Sequence, residues 1–142
     1  MNLGPSVVIV DDEVTLAVVM QTLVLREWPD ARVSIYTDTH DLAPRLLEVP
    51  VGSVVLMDRR LGGVESYGLI TSLLRGRPDV RVAMLSASLG PEEIAKARAA
   101  GAFAAYEKPG ALGAWRQVLA EVMKPSASPQ SERQAGNGPA VA

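Results

Sequence analysis

The sequence predicts an α/β fold in which a parallel sheet is covered by helices on both faces. Two observations support this prediction. Short β-branched runs alternate with helical patterns along residues 6–124. Several of these runs are apolar without interruption, which is typical of strands buried on both faces. The length of 142 residues suits one domain, and right-handed crossovers are expected between the parallel strands.

Five strands and five helices are predicted in strict alternation. The strands are short aliphatic runs at 7–10, 31–37, 54–57, 81–85 and 102–107. The helices follow apolar spacing of three or four residues at 13–28, 41–48, 67–75, 91–101 and 111–123. In the second helix, Pro44 is tolerable only in the first turn, with Asp41 as the N-cap. We therefore expect one domain over residues 1–124.

Composition excludes several classes of protein. There are no cysteines and one histidine, His40, which argues against zinc–thiolate sites and cysteine nucleophiles. A net charge of −2 does not suit a nucleic-acid-binding module. No apolar run is long enough for a membrane span, and the start lacks a secretory signal. We expect a cytoplasmic domain, with residues 125–142, rich in Pro, Ser and Gly, as a disordered tail or linker.

Polar side chains follow the predicted strands where each strand ends. Asp11 and Asp12 follow the first strand, Asp58 the third, Ser86 the fourth and Lys108 the fifth. Ligands of open parallel sheets bind at the carboxyl ends of the strands, so we expect these five side chains to converge. Three carboxylates favour a hard divalent cation, and Mg²⁺ typically takes one or two of them with phosphate oxygens.

At these positions the sequence resembles the receiver (CheY-like) domain of bacterial two-component response regulators. The resemblance covers about residues 6–124, and the stretches that carry it are VVIVDDE at 7–13, VVLMD at 54–58, MLSAS at 84–88 and YEKP at 106–109. It implies a doubly wound, flavodoxin-like sheet with strand order 2-1-3-4-5. It also implies a phosphoaspartate switch in a phosphorelay rather than a conventional enzyme.

The resemblance further assigns the acidic residues. Asp58 matches the phosphoacceptor, which takes a phosphoryl group from a histidine of a partner kinase or phosphotransfer protein. Asp12 is expected to bind Mg²⁺ directly and Asp11 through water. The backbone carbonyl of Arg60 is expected to be a further ligand.

The remaining site residues are implied to act in switching. Lys108 contacts an oxygen of the phosphorylated aspartate, Ser86 moves to hydrogen-bond the phosphoryl group, and Tyr106 turns into the space that Ser86 leaves. The Lys108–Pro109 peptide bond is expected to be cis, which proline makes accessible. The output surface is the fourth helix, fifth strand and fifth helix, which contacts a downstream protein or a second copy.

The sequence is compatible with other interpretations of the chain's function and of some site residues. The chain is either a stand-alone receiver or the receiver of a longer DNA-binding regulator. A Mg²⁺-dependent aspartyl-phosphate phosphatase is disfavoured, because such enzymes place a second Asp where Arg60 stands. Asp11 and Asp12 could instead cap the first helix, and Tyr106 could simply be a strand aromatic.

One loop departs from the family pattern. Gly62 stands where the family has Pro, and Gly68 lies ten residues after Asp58 instead of about eight. We therefore expect loop 61–67 to be two residues longer and less rigid, with an effect on the lifetime of the phosphoryl group.

Overall fold

The computed structural model describes residues 4–124 and contains the predicted five-stranded parallel sheet. The order of the sheet is β2-β1-β3-β6-β7. The strands are β1 (Ser6–Val10), β2 (Arg32–Tyr36), β3 (Val54–Asp58), β4 (Arg60–Leu61), β5 (Val64–Glu65), β6 (Arg81–Ser86) and β7 (Ala104–Glu107). Apart from the short pair β4–β5, which forms a separate hairpin, this is the predicted order 2-1-3-4-5. The predicted tail, residues 125–142, lies outside the described residues.

Five helices connect these strands, and their bounds agree closely with the prediction except in the second. They are α1 (Val14–Glu27), α2 (Leu42–Leu46), α3 (Tyr67–Gly76), α4 (Pro91–Ala100) and α5 (Leu112–Met123). Pro44 lies in the first turn of α2, as required. Asp41 occupies the N-cap position without a side-chain capping bond, because its backbone is left-handed, with a φ of 50°, whereas a capping residue is normally extended. Its carboxylate lies 3.1 Å from Nε2 of His40.

The helices cover the two faces of the sheet with separate apolar layers. Ile9 and Leu56 pack with Met20 of α1 and Trp115 of α5 on one face. The alternate strand residues pack against α2, α3 and α4 on the other face, as the two-residue period of a strand requires. No helix of residues 4–124 is long and apolar enough to cross a membrane.

The loop after Asp58 contains a small β-hairpin that the sequence analysis did not predict. Strands β4 and β5 pair in antiparallel orientation across Gly62 and Gly63. Both glycines have positive φ, at 60° and 80°, as the tight two-residue turn of type I′ requires. Leu61 is buried in the layer formed with α2, α3 and α4. The loop that was expected to be longer and less rigid therefore contains regular, hydrogen-bonded structure.

Candidate functional site

The polar residues predicted to converge do so at the carboxyl edge of the sheet. Asp58 and Ser86 are the last residues of β3 and β6, and register pairs Asp58 with Leu85 and Ser86 with Glu107. The strands therefore end at the same level. Lys108 follows β7 directly, and its amide donates to the Ser86 carbonyl at 2.7 Å.

Three carboxylates form the centre of the site. One oxygen from each of Asp11, Asp12 and Asp58 lies within 4.8 Å of the others. The Asp11 side chain is 1% exposed and that of Asp58 13% exposed, whereas Asp12 is exposed. Like charges held this close repel one another strongly when water is excluded. The site therefore needs positive charge.

Lys108 supplies one positive charge. Its Nζ lies 3.1 Å from Oδ2 of Asp11 and 3.2 Å from Oδ1 of Asp58. Burial opposes the charged form of this lysine, but the two carboxylates outweigh burial and raise its pKa. Lys108 is therefore a fixed ammonium, and two negative charges of the cluster remain uncompensated.

The pKa of Asp58 is raised by its surroundings, chiefly by burial. Burial and then the negative charge of Asp11 raise it from 3.8 to about 6, although Lys108 and a hydrogen bond from the Arg60 amide act in the opposite direction. An oxygen-rich site with two excess negative charges fits a hard divalent cation such as Mg²⁺. The residues present therefore suit the metal that the resemblance implies.

The hairpin register leaves the Arg60 carbonyl available to such an ion. The Ser66 amide donates to the Arg59 carbonyl at 2.7 Å, so the neighbouring pair, Arg60 with Glu65, is a non-hydrogen-bonded pair. Both backbone polar groups of Arg60 then point away from β5, and its amide reaches the Asp58 carboxylate. The carbonyl lies on the same side of the strand.

Helix capping does not account for the acidic pair. The N-cap of α1 is Glu13, and α1 has no side-chain capping bond. Asp11 Oδ1 instead accepts the Glu13 amide at 2.9 Å, and Asp12 Oδ2 accepts the Gly62 amide at 2.9 Å. Both carboxylates are thus held within the loops at the site.

Ser86 and Tyr106, the two residues expected to switch, are both held by local contacts. The Ser86 hydroxyl is buried and donates to the Ser88 carbonyl at 2.7 Å. Tyr106 is half-buried and packs against the layer formed with α1 and α5. This packing fits both a strand aromatic and a side chain that moves on activation.

The expected cis peptide bond is wrong for this structure. No peptide bond among residues 4–124 is cis, so Lys108–Pro109 is trans. For an X–Pro bond the trans form is still favoured by roughly 0.5–1 kcal/mol, and proline only makes the cis form accessible.

Sequence reasoning missed the residues that hold the hairpin. The Ser66 hydroxyl, which is buried, donates to the Asp58 carbonyl at 2.7 Å. Arg59 binds both carboxylate oxygens of Glu65, at 3.1 and 3.2 Å. The signal available was Gly62–Gly63 between Leu61 and Val64, a dipeptide typical of type I′ hairpins.

Comparison with known proteins identifies the fold. No protein-family model and no curated protein sequence matches the chain, but many solved structures do. A response regulator protein from Burkholderia pseudomallei, with a phosphorylated aspartic acid, calcium ion and citrate, superposes with a TM-score of 0.74 at 19% identity, covering 94% of this chain and 73% of that one.

Two further structures are similar over all or nearly all of their length. A CheY-like response regulator receiver domain protein from Methanospirillum hungatei JF-1 has a TM-score of 0.73 and 19% identity, with 95% of this chain and 100% of that chain covered. The beryllofluoride-activated NtrC4 receiver domain dimer has a TM-score of 0.69 and 17% identity, with 84% and 96% covered. The chain has the fold of response regulator receiver domains.

Proposed function

We propose that this chain is a phosphoacceptor receiver domain of a two-component or phosphorelay system, with Asp58 as the acceptor. The proposal rests mainly on the position of Asp58 at the end of β3. Its carboxylate lies 3.2 Å from the Lys108 ammonium and within 4.8 Å of Asp11 and Asp12 oxygens. Structures of the same fold include one with a phosphorylated aspartic acid.

The phosphoryl donor is a histidine of a partner kinase or phosphotransfer protein. An Asp58 oxygen attacks phosphorus, the P–N bond to the donor histidine breaks, and its electron pair returns to the imidazole. Asp12, Asp58 and the Arg60 carbonyl would hold Mg²⁺ directly and Asp11 would hold it through water; when bound, the ion would supply positive charge to offset that of the phosphoryl oxygens. Lys108 remains as a point charge that pairs with an oxygen of the phosphoryl group.

Phosphorylation then acts as a conformational switch. The new group adds close to two negative charges and strong acceptors at the sheet edge. Ser86 exchanges its bond to the Ser88 carbonyl for one to a phosphoryl oxygen, and Tyr106 moves into the vacated space. The α4–β7–α5 face carries this change to a downstream protein or a second copy of the chain. One structure of this fold is a beryllofluoride-activated dimer.

The chain therefore acts as a cytoplasmic signalling switch rather than an enzyme with a separate substrate. Whether it works alone or as the receiver of a longer DNA-binding regulator, the chemistry at Asp58 is the same. A phosphatase of the aspartyl-phosphate type receives no support from the site, because the side chain two residues after Asp58 is the exposed Arg60. It offers no carboxyl group to protonate a leaving group.

A small phosphodonor tests this proposal directly. Wild-type protein with Mg²⁺ and acetyl phosphate is expected to gain the mass of one phosphoryl group, measured on the intact protein. Chelation of Mg²⁺ and the Asp58→Asn substitution should each abolish the gain. Asp38→Asn, in the exposed loop after β2, is the matched control and should label like wild type. Undiminished labelling of Asp58→Asn would refute the assignment.

A further inference from the structure

The β4–β5 hairpin reaches into the acidic cluster through its turn. The Gly62 amide donates to Oδ2 of Asp12 at 2.9 Å, across 50 positions of the sequence. Asp12 is the exposed member of the three carboxylates, and an exposed side chain is free to sample several rotamers. The hydrogen bond from the turn fixes the direction of this carboxylate.

The hairpin is itself firmly anchored. Leu61 is only 6% exposed and lies in the apolar layer beneath the turn. Arg59 and Glu65 join the two sides through two hydrogen bonds. The buried Ser66 hydroxyl ties the end of the hairpin to the Asp58 carbonyl. The turn therefore holds a fixed position relative to Asp58, and it can impose that position on Asp12.

We propose that the hairpin is a positioning element of the metal site, with the Gly62 amide orienting the Asp12 carboxylate for a divalent cation. This inference rests on the proposed function. A carboxylate has about four acceptor sites, so Asp12 can accept the amide and still bind an ion. Groups that orient metal ligands in this way typically change metal affinity 10- to 100-fold.

The turn geometry supplies a matched pair of variants. Gly62 has a φ of 60°, and a Cβ there would meet the Thr39 side chain, with Oγ1 nearest at 3.4 Å. Gly62→Asn should keep the turn, because Asn tolerates positive φ and Asn-Gly is a preferred type I′ dipeptide. Gly62→Val should open the turn, because a β-branched residue is strongly disfavoured there. Both variants retain the backbone N–H.

Backbone strain alone needs its own control. Gly52 has a φ of 73°, and a Cβ added there would meet no atom of residues 4–124 within 4 Å. It precedes β3, at the opposite end of the sheet from Asp58. Gly52→Val introduces similar strain away from the site and should leave Mg²⁺ affinity unchanged. Urea unfolding and circular dichroism measure whether each variant is folded.

The experiment is a Mg²⁺ titration of the full chain, followed by ¹H–¹⁵N NMR at the amides around Asp58. We expect Gly62→Val to weaken Mg²⁺ binding on the order of 10-fold, and Gly62→Asn to bind like wild type. In an Asp12→Ala background, Gly62→Val should cause no further loss of Mg²⁺ affinity, because the Gly62 amide then has no carboxylate to orient.

Three outcomes overturn the inference. The first is a Mg²⁺ affinity of Gly62→Val equal to that of wild type. The second is the same loss of Mg²⁺ affinity from Gly62→Val in the wild-type and the Asp12→Ala backgrounds. The third is a loss of Mg²⁺ affinity in Gly52→Val as large as that in Gly62→Val. Absence of Mg²⁺ binding to the wild-type chain would overturn the inference together with the proposed metal site. If Mg²⁺ binds as expected but Asp58 is not phosphorylated, the proposed function fails and the positioning role of the hairpin stands.

Discussion

Replacement of Asp58 by Asn is expected to stabilise the metal-free protein at alkaline pH. The folded state raises the pKa of Asp58 from 3.8 to about 6, chiefly through burial and then through Asp11. The folded protein therefore binds more protons than the unfolded chain between about pH 4 and pH 6, and stability falls as pH rises through this range. The loss of folding stability caused by ionised Asp58 is complete above about pH 7.

The size of this loss of stability follows from the shift in the pKa of Asp58. At about 1.4 kcal/mol per pH unit, a pKa raised from 3.8 to about 6 corresponds to at most about 3 kcal/mol. Solvent at the open edge of the sheet screens part of this interaction, so we expect roughly 1–2 kcal/mol. Asp58→Asn removes the charge while Lys108 keeps its bond to Asp11 at 3.1 Å. The variant should gain that amount at pH 8 and nothing near pH 4.

Urea denaturation in the presence of a chelator measures the effect at pH 4, 6 and 8. Adding Mg²⁺ at pH 8 should reduce the difference in stability between Asp58→Asn and wild type, because the ion stabilises the wild-type protein, which binds it better. A variant that is less stable than wild type at pH 8, or a difference that does not change with pH, would refute the electrostatic reasoning.

Asp79→Asn is a matched control that is expected to change folding stability in the opposite direction. A hydrogen bond from Arg77 and then one from the Gly52 amide lower the pKa of Asp79. A lowered pKa stabilises the folded state above the unfolded value and loses that stability as pH falls. Asp79→Asn should therefore be less stable than wild type at pH 8, with a difference that shrinks below about pH 4. The two variants should change stability in opposite directions at the same pH.

Two further substitutions test the core and the switch. Ser53 donates to the Pro50 carbonyl and accepts the buried Ser6 hydroxyl, so Ser53→Ala should cost about 1–3 kcal/mol by leaving that hydroxyl unpaired. Ser6→Ala should cost less in the same urea assay, and equal costs would contradict this network. Lys108→Ala should still fold and bind Mg²⁺, because it removes no metal ligand. On addition of beryllofluoride, its NMR shifts should stay near the acidic cluster, and shifts at Tyr106 equal to those of wild type would exclude Lys108 as the coupling residue.

The sequence was sufficient to predict the sheet and the convergence of the site. Continuous apolar runs such as 54–57 identify doubly buried strands, and parallel strands end at a common edge. Asp58 and Lys108 could therefore be placed together although they are 50 residues apart. The burial pattern and the strand direction place both residues on the same edge of the sheet, and the strand order implied by the resemblance brings them close together.

The remaining features depend on tertiary contacts that periodicity does not record. The hairpin needs two glycines at positive φ and an apolar anchor at Leu61, and only the folded core shows where that anchor is buried. The bond from Gly62 to Asp12 joins loops 50 positions apart. The trans Lys108–Pro109 bond is a choice between two isomers of similar energy, which local sequence does not decide.

Borohydride trapping of the phosphorylated protein tests the central claim most directly. Borohydride reduces an acyl phosphate on aspartate to an alcohol, which marks the modified residue permanently for peptide sequencing by mass spectrometry. After treatment with a phosphodonor and Mg²⁺, we expect the reduced residue at Asp58 alone among the aspartates of the chain. Reduction at Asp11, at Asp12 or at no aspartate would contradict the account.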